Sequence, residues 1–248
     1  PDFAVTVNTS PGQIAVFLNN NGGTVGSFGS PTTVTVGSDP VGLVAADFDQ
    51  DGKVDLAVAN YQSNSIWVLP GDGAGSFSTT GPQLTISGNP YGLATGDLNG
   101  DGKLDLAVTD SMNGAVNVFL ASSGTAGTFS PTPLVFNADT GTQGVGIADL
   151  DGDGSLDIAA ANYYGANATT LIQLPTATLL PATINFGVQL VNTASTAQTT
   201  TLTNTGSLPI TISSIAVTGT NASDFSLTTN PTNNCGTTVA AAATCTIS

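Results

Sequence analysis

The sequence predicts an all-β protein, with a partial, open β-propeller of about three four-stranded blades followed by a truncated β-sandwich. Three observations carry that prediction. A nine-residue Asp-rich motif returns three times at near-constant spacing, and each copy runs straight into a short apolar β-type stretch. From about residue 178 the repeat stops and Thr/Ser/Val-rich alternation with intervening turn residues takes over.

The three copies are Asp47-Phe48-Asp49-Gln50-Asp51-Gly52-Lys53-Val54-Asp55, Asp97-Leu98-Asn99-Gly100-Asp101-Gly102-Lys103-Leu104-Asp105 and Asp149-Leu150-Asp151-Gly152-Asp153-Gly154-Ser155-Leu156-Asp157. Their first aspartates give periods of 50 and 52 residues, which suits a propeller or solenoid unit. The repeat extends beyond the motif. A glycine stands five residues before each first aspartate (Gly42, Gly92, Gly144), and a Gly-Ser/Thr-Phe triplet recurs at 26–28, 75–77 and 127–129. The apolar runs that follow each motif are Leu56-Ala57-Val58-Ala59, Leu106-Ala107-Val108-Thr109 and Ile158-Ala159-Ala160-Ala161.

Within the second unit, strands are expected at 91–95, 104–109, 116–120 and 134–137, with the Asp loop after the first and an Asn113-Gly114 turn after the second. Four antiparallel strands in about 50 residues make one blade. At the start, Pro1-Asp2-Phe3-Ala4-Val5 aligns with Leu104-Asp105-Leu106-Ala107-Val108, so Asp2 reads as the last position of a fourth motif and the chain as beginning inside a blade. After the third motif, strands are expected near 156–161 and 170–174, with no fourth. Upstream blades of the same parent chain are the expected partners of that open end. The propeller is therefore placed at residues 1–174 and the sandwich at 178–248. Its strands are expected at 183–186, 198–204, 210–217, 225–227 and 245–247, and the chain ends inside a strand-like run.

The chain carries 17 acidic groups, all Asp, against two Lys, for a formal charge of −15, and has no Glu, Arg or His. That balance excludes nucleic acid and anionic membrane surfaces as partners. No apolar run reaches the length of a membrane-spanning helix, so no membrane insertion is expected. Eleven of the 17 Asp fall inside the three motifs, which concentrates the charge in loops, where cations can neutralise it. Cys235 and Cys245 lie ten residues apart, as either a local disulfide of an oxidising compartment or two buried thiols. With no His in the chain, they make a poor zinc site.

Calcium takes six to eight hard oxygens, and a tight loop is the simplest way to gather carboxylates around it. Side chains at positions 1, 3 and 5, the carbonyl at 7 and Asp at 9 form such a cage, and Gly at 6 permits the turn. Left empty, carboxylates ~4 Å apart repel by ~1 kcal/mol per pair in water and more at lower dielectric. Position 12 is Val58, Val108 or Ala160 rather than Glu, and the flanks are β-type rather than helical, which excludes an EF-hand or a dockerin. Asp-Gly and Asn-Gly also form plain turns, but three copies in register argue for a shared ligand. Asn99 removes one negative charge from the second loop, which is expected to bind more weakly.

These residues resemble the FG-GAP/VCBS repeat, the calcium-binding blade similar to those of integrin α-subunit propellers and of many bacterial surface proteins. The resemblance covers residues 1 to about 174. It implies about three calcium ions. Their ligands would be Asp47, Asp49, Asp51, the Lys53 carbonyl and Asp55; Asp97, Asn99, Asp101, the Lys103 carbonyl and Asp105; and Asp149, Asp151, Asp153, the Ser155 carbonyl and Asp157. Of the three triplet phenylalanines only Phe28 is followed by Gly, Phe77 and Phe129 being followed by Ser, and no Gly-Ala-Pro occurs, which favours the bacterial branch over an integrin ectodomain. From residue 178 the chain resembles the Ig-like choice-of-anchor D or ASPM-SPD-2-Hydin modules. The likeness lies in Ile184-Asn185-Phe186-Gly187, in Leu202-Thr203-Asn204-Thr205-Gly206, and in Asn234-Cys235 together with Cys245-Thr246-Ile247.

The expected function is thus a non-catalytic, calcium-binding repeat region of a large secreted or cell-surface protein. It would act in adhesion, in binding an extracellular protein or glycan, or as a spacer. The alternative is the propeller or accessory part of a polysaccharide-active enzyme or a lectin. Catalysis has few candidates: Asp39, Asp72, Asp110, Asp139 and Asp224 lie outside the motifs, and each suits a turn. A lectin would repeat aromatic platforms, whereas the chain has one Trp and four Tyr, with Tyr163-Tyr164 the single adjacent pair.

Overall fold

The computed structural model describes the chain apart from residues 20–26, 123, 125, 153–154, 174–176, 205, 207–208, 228–233 and 241–242. It divides into two compact units, Pro1–Gln173 and Leu174–Ser248.

The first unit is a series of antiparallel sheets taken in chain order. Sheet I holds β1 (Phe3–Val7), β2 (Gln13–Phe17) and β3 (Thr32–Thr35). Sheet II holds β4 (Pro40–Ala46), β5 (Asp55–Asn60), β6 (Ser65–Leu69) and β7 (Gln83–Thr85). Sheet III holds β8 (Pro90–Gly96), β9 (Asp105–Asp110), β10 (Ala115–Phe119) and β11 (Leu134–Asn137). Sheet IV holds β12 (Thr142–Ala148), β13 (Asp157–Asn162) and β14 (Asn167–Leu171). Each Asp motif connects the first strand of sheet II, III or IV to the second.

The sheets stack face to face, and the sequence shows why. Every residue of β5, β9 and β10 is buried, so these strands carry near-continuous apolar runs, the pattern of a strand covered on both faces. Three clusters fill the interfaces. Ile14, Val16 and Val36 of the first sheet region meet Leu56, Val58 and Leu69. Ala57, Ile66 and Val68 meet Leu106, Val108 and Phe119. Ala107, Val116 and Val118 meet Ile158, Ala160 and Leu171. Fully burying a Leu, Val or Phe side chain contributes about 1.5–3 kcal/mol.

The recurrent glycines are explained by strand proximity. A Cβ on Gly42 would stand 2.1 Å from the Tyr91 carbonyl oxygen, and one on Gly92 would stand 2.2 Å from that of Gln143. Strands β4, β8 and β12 thus pass each other at backbone contact, closer than any side chain permits. Gly144 differs: among the described residues a Cβ there would meet only Ala161 of its own sheet, at 3.4 Å.

The all-β, open propeller-like class holds: among the described residues two four-stranded sheets are flanked by two of three strands, the first at the Asp2 remnant and the last without a fourth strand, as expected. Sheet I exists because β1 pairs with β2 through Phe3↔Phe17, as β9 pairs with β10 through Leu106↔Phe119. The third strand of sheet IV comes earlier than the expected 170–174, because a turn with Ala166 at φ 51° reverses the chain ahead of it.

In the second unit, β15 (Ala177–Leu180), β16 (Thr200–Asn204) and β19 (Thr244–Ile247) form one antiparallel sheet, and β17 (Ile210–Thr211) pairs with β18 (Thr238–Val239). Cys235 and Cys245 are joined in a disulfide. The strands expected at 183–186 and 225–227 are not strands, and that expected at 210–217 shrinks to β17. Their side chains find no sheet to lie on: Val188, Leu190 and Val191 in the same stretch are exposed. The described residues therefore form one three-stranded and one two-stranded sheet rather than a full two-sheet sandwich.

The glycine contacts give a built-in control. Gly92→Ala is expected to destabilise by about 1–3 kcal/mol, the cost of forcing extra volume into a packed contact. Gly144→Ala should stay within about 0.5 kcal/mol of the parent. Denaturant midpoints of the two variants check this, and equal losses would refute the close-passage account.

Candidate metal centre

The first two Asp loops fold by the same hydrogen bonds. In the first, Asp47 accepts from the Asp51 amide through Oδ1 (3.1 Å) and from the Gly52 amide through Oδ2 (2.9 Å). In the second, Asp97 accepts likewise from Asp101 (3.0 Å) and Gly102 (2.8 Å). Position 3 adds an Asx turn: Asp49 Oδ1 and Asn99 Oδ1 each accept from the amide two residues on, at 3.1 and 2.9 Å. In the third loop Asp149 Oδ1 accepts from Gly152 at 2.7 Å. Gly52 and Gly102 at position 6 have φ of 84° and 82°, the left-handed turn their glycine allows.

Position 4 is left-handed as well, with φ of 60° at Gln50, 72° at Gly100 and 81° at Gly152. Glycine at that position in two of three copies was the available sequence signal. Gln50 stands there for a contact of its own: its Nε2 donates to the Gly102 carbonyl at 2.8 Å and ties the first loop to the second.

Position 9 proves to be more than a lid on a cage. Asp55, Asp105 and Asp157 are buried, and each spends both oxygens on backbone amides. Oδ2 takes the amide of position 2, at 3.0 Å from Phe48, 2.9 Å from Leu98 and 2.8 Å from Leu150. Oδ1 takes the amide just beyond the third strand, at 2.8 Å from Gly71, 2.7 Å from Ala121 and 2.7 Å from Gln173. Asp2 makes the same outer bond to Asn19, at 2.6 Å. Burial, followed by the charge of Asp49, pushes the Asp55 carboxyl above its ordinary range, against the pull of the two amides. Burial does the same at Asp105, with Asp101 and Asp97 adding to it.

Asp47, Asp49 and Asp55 each bring a carboxylate oxygen to within 4.8 Å of the others, and so do Asp149, Asp151 and Asp157. The second loop, with Asn99 at position 3, makes the same hydrogen bonds from positions 1, 3 and 9 as the first. Position 5 is turned elsewhere. Asp51 accepts from the Lys53 amide through Oδ1 and pairs with the Lys53 ammonium at 2.6 Å, which holds its carboxyl below the ordinary range and raises that of Lys53. Asp101 also accepts from its position-7 amide, but Lys103 sends its ammonium to the Ser122 carbonyl at 2.7 Å. Ser155 is buried. Asp153 and Gly154 lie outside the described residues.

Of Asp39, Asp72, Asp110, Asp139 and Asp224, three cap backbone amides. Asp72 accepts from Ala74 and Ser76, Asp110 from Met112 and Asn113, and Asp139 from Thr140 and the Asn167 side chain. Asp39, in a left-handed turn, accepts from Asn8. Asp224 sits in the short 3-10 helix Ala222–Asp224.

The donor set of the loops is oxygen alone, with no sulfur or imidazole near it, and such a set fits a hard cation of the calcium or magnesium type. Among solved structures, the chain is similar to a crystal structure of a protein from Lactobacillus plantarum at 17% identity and a TM-score of 0.47, over 84% of this chain and 62% of that one. No curated protein matches. The FG-GAP-like repeat model matches three times, at residues 1–58, 47–108 and 97–160. Each match after the first opens on an Asp loop and closes just past the next, so the second and third matches start one period of this sequence apart. The chain belongs to the FG-GAP-like repeat family.

Proposed function

We propose that the first unit is a non-catalytic repeat region of a secreted or cell-surface protein, held rigid by calcium. It would serve adhesion, the binding of an extracellular protein or glycan, or spacing. The observation that carries this is the gathering of three carboxylate oxygens within 4.8 Å in each of two loops, on a chain with almost no cationic side chains to neutralise them. A divalent cation supplies the missing charge and ties the first strand of each sheet to the second.

Asp47, Asp49 and Asp55, with Asp51 and the Lys53 carbonyl, would hold one ion. Asp97, Asn99, Asp101, Asp105 and the Lys103 carbonyl would hold a second, and Asp149, Asp151, Asp153, Asp157 and the Ser155 carbonyl a third. Asp51 must leave Lys53 to join, at small cost, because solvent screens an exposed ion pair. The disulfide and the family support an extracellular setting. The lack of His, Glu and Arg, and the structural employment of the remaining aspartates, support a role without catalysis.

A thermal melt with and without chelator is the direct test. Excess EDTA should lower the transition of the first unit, and an unmoved transition would sink calcium stapling. The pH dependence follows from Asp55 and Asp105. Without a cation their raised values mean that the folded state holds their protons more tightly than the unfolded state. They favour folding below the ordinary value of 3.8 and lose that contribution as pH rises through the raised values. Calcium competes for the same oxygens, so the melting difference between calcium and EDTA should be small at about pH 4 and full by about pH 7.

Two substitutions separate the roles within a loop. Asn99→Asp restores a charge and should tighten calcium binding by the second loop several-fold in a calorimetric titration. Asp97→Ala should destabilise mainly in calcium, because the two amides it frees are exposed and water replaces the carboxylate, whereas Asp105→Ala should destabilise in EDTA as well, because it strands one buried and one half-buried amide at about 1–3 kcal/mol each. Equal behaviour of the two variants in EDTA would refute the structural role of position 9.

A further inference from the structure

Three Asn-Gly pairs occur in the chain: Asn21-Gly22, Asn99-Gly100 and Asn113-Gly114. Such a pair can react with itself. A glycine nitrogen has no side chain beside it to block approach, so it reaches the side-chain carbonyl carbon of the asparagine before it and closes a five-membered ring. The fold decides whether that happens, because hydrogen bonds can hold both the attacking nitrogen and the departing amide. Asn21-Gly22 lies outside the described residues. Of the other two pairs, one is held and one is open.

Asn113-Gly114 is held. The Gly114 amide is buried and donates to the Asp110 carbonyl at 3.0 Å. Asn113 Nδ2 donates to Asp110 Oδ2 at 2.8 Å and to Ser87 Oγ at 3.2 Å, and the Asn113 amide donates to Asp110 Oδ1 at 3.0 Å. Attack by Gly114 would break the first of these bonds, and loss of ammonia the next two.

Asn99-Gly100, at positions 3 and 4 of the second Asp loop, is open. Gly100 is exposed, and among the described residues nothing accepts from its amide or from Asn99 Nδ2. The bond that this side chain does make favours reaction. Asn99 Oδ1 accepts from the Asp101 amide at 2.9 Å, so the oxygen that gathers negative charge during attack already faces a donor. Exposure alone would rank the pairs the other way, since the Asn113 side chain is exposed and that of Asn99 half-buried.

We propose that Asn99 is a site of spontaneous deamidation and that hydrogen bonds protect Asn113 from the same change. The Gly100 nitrogen, having given its proton to a solvent base, bonds to Asn99 Cγ. The Cγ–Nδ2 bond breaks, and Nδ2 leaves as ammonia with a proton from water. Water then opens the succinimide. Cleavage of the new N–Cγ bond leaves aspartate on an unchanged backbone, and cleavage of the original peptide C–N bond leaves isoaspartate, with the chain rerouted through Cγ. Either way, one side-chain amide and one water become one carboxylate and ammonia, with no change of oxidation state. The second loop thereby gains the charge that Asp49 and Asp151 supply in the other two. On the reading proposed above, that these loops bind calcium, the aspartate product is the stronger site, and the weakest loop ripens as the protein ages.

The test is to age the full chain at mildly alkaline pH in EDTA and to follow it by peptide mass mapping. The peptide bearing Asn99 should exchange its amide for a carboxyl, in aspartate and isoaspartate forms, while the peptide bearing Asn113 keeps its mass. In denaturant the two should convert at similar rates. Gly100→Gln places at position 4 the residue that the first loop already carries there at φ 60°, and it should slow conversion of Asn99 several-fold. An Asn99 peptide that ages no faster than that of Asn113 in the folded chain overturns the proposal. So does an Asn113 peptide that lags equally in denaturant, or a Gly100→Gln chain that converts as fast as the parent. None of these readouts involves a cation. If the mass changes but the aspartate form binds calcium no more tightly than fresh protein, the calcium reading of the second loop falls and the modification stands.

Discussion

A buried carboxylate held by two backbone amides is the constraint on which the first unit depends. At position 9 of each motif it fixes the chain at three points: the start of the second strand, the entry of the Asp loop, and the exit of the third strand. Few side chains can do this. An amide would offer one acceptor oxygen where two N–H groups converge, and an apolar residue would leave both unsatisfied. Because the loop entry is anchored by Asp55, Asp105 or Asp157, the carboxylates at positions 1 and 3 are delivered to one neighbourhood. The acidic cluster is thus a consequence of a hydrogen-bonding solution to sheet assembly.

The second constraint is the spacing of the sheets. Gly42 and Gly92 let adjacent inner strands touch by backbone, which draws the sheets together at that edge. Larger side chains from one sheet and alanines from the other fill the remaining space, and interiors packed in this way tolerate little change of volume. Close approach at the inner edge and bulk farther out are the geometry of wedges arranged about an axis.

Much of this was legible in the sequence because it repeats. The period, the strand after each motif and the offset of Asp2 all follow from aligning the chain with itself, and β8 to β11 lie within a residue or two of their expected positions. Hydrophobic runs read well where a strand is covered on both faces, as in β5 and β9. The second unit read poorly, because its strands are short, its alternation is weak, and residues such as Val188 and Leu190 satisfy a β pattern without a sheet to complete it. The candidate site was legible in its residue types but not in its division of labour. Spacing shows that Asp55 lies near Asp47; it does not show that both Asp55 oxygens already hold amides, or that Lys53 engages Asp51. The left-handed position 4 was hidden at the first loop by Gln50, whose side chain makes a contact 52 residues away.

That contact means the first two loops do not order independently. The Gln50 amide reaches the carbonyl of Gly102, the residue at the sharp turn of the second loop, so a first loop held still removes freedom from the second. Whichever loop is fixed first leaves its neighbour with less conformational entropy to lose. The weakest of the three loops on charge, the one with Asn99, is therefore the one that receives mechanical help from next door.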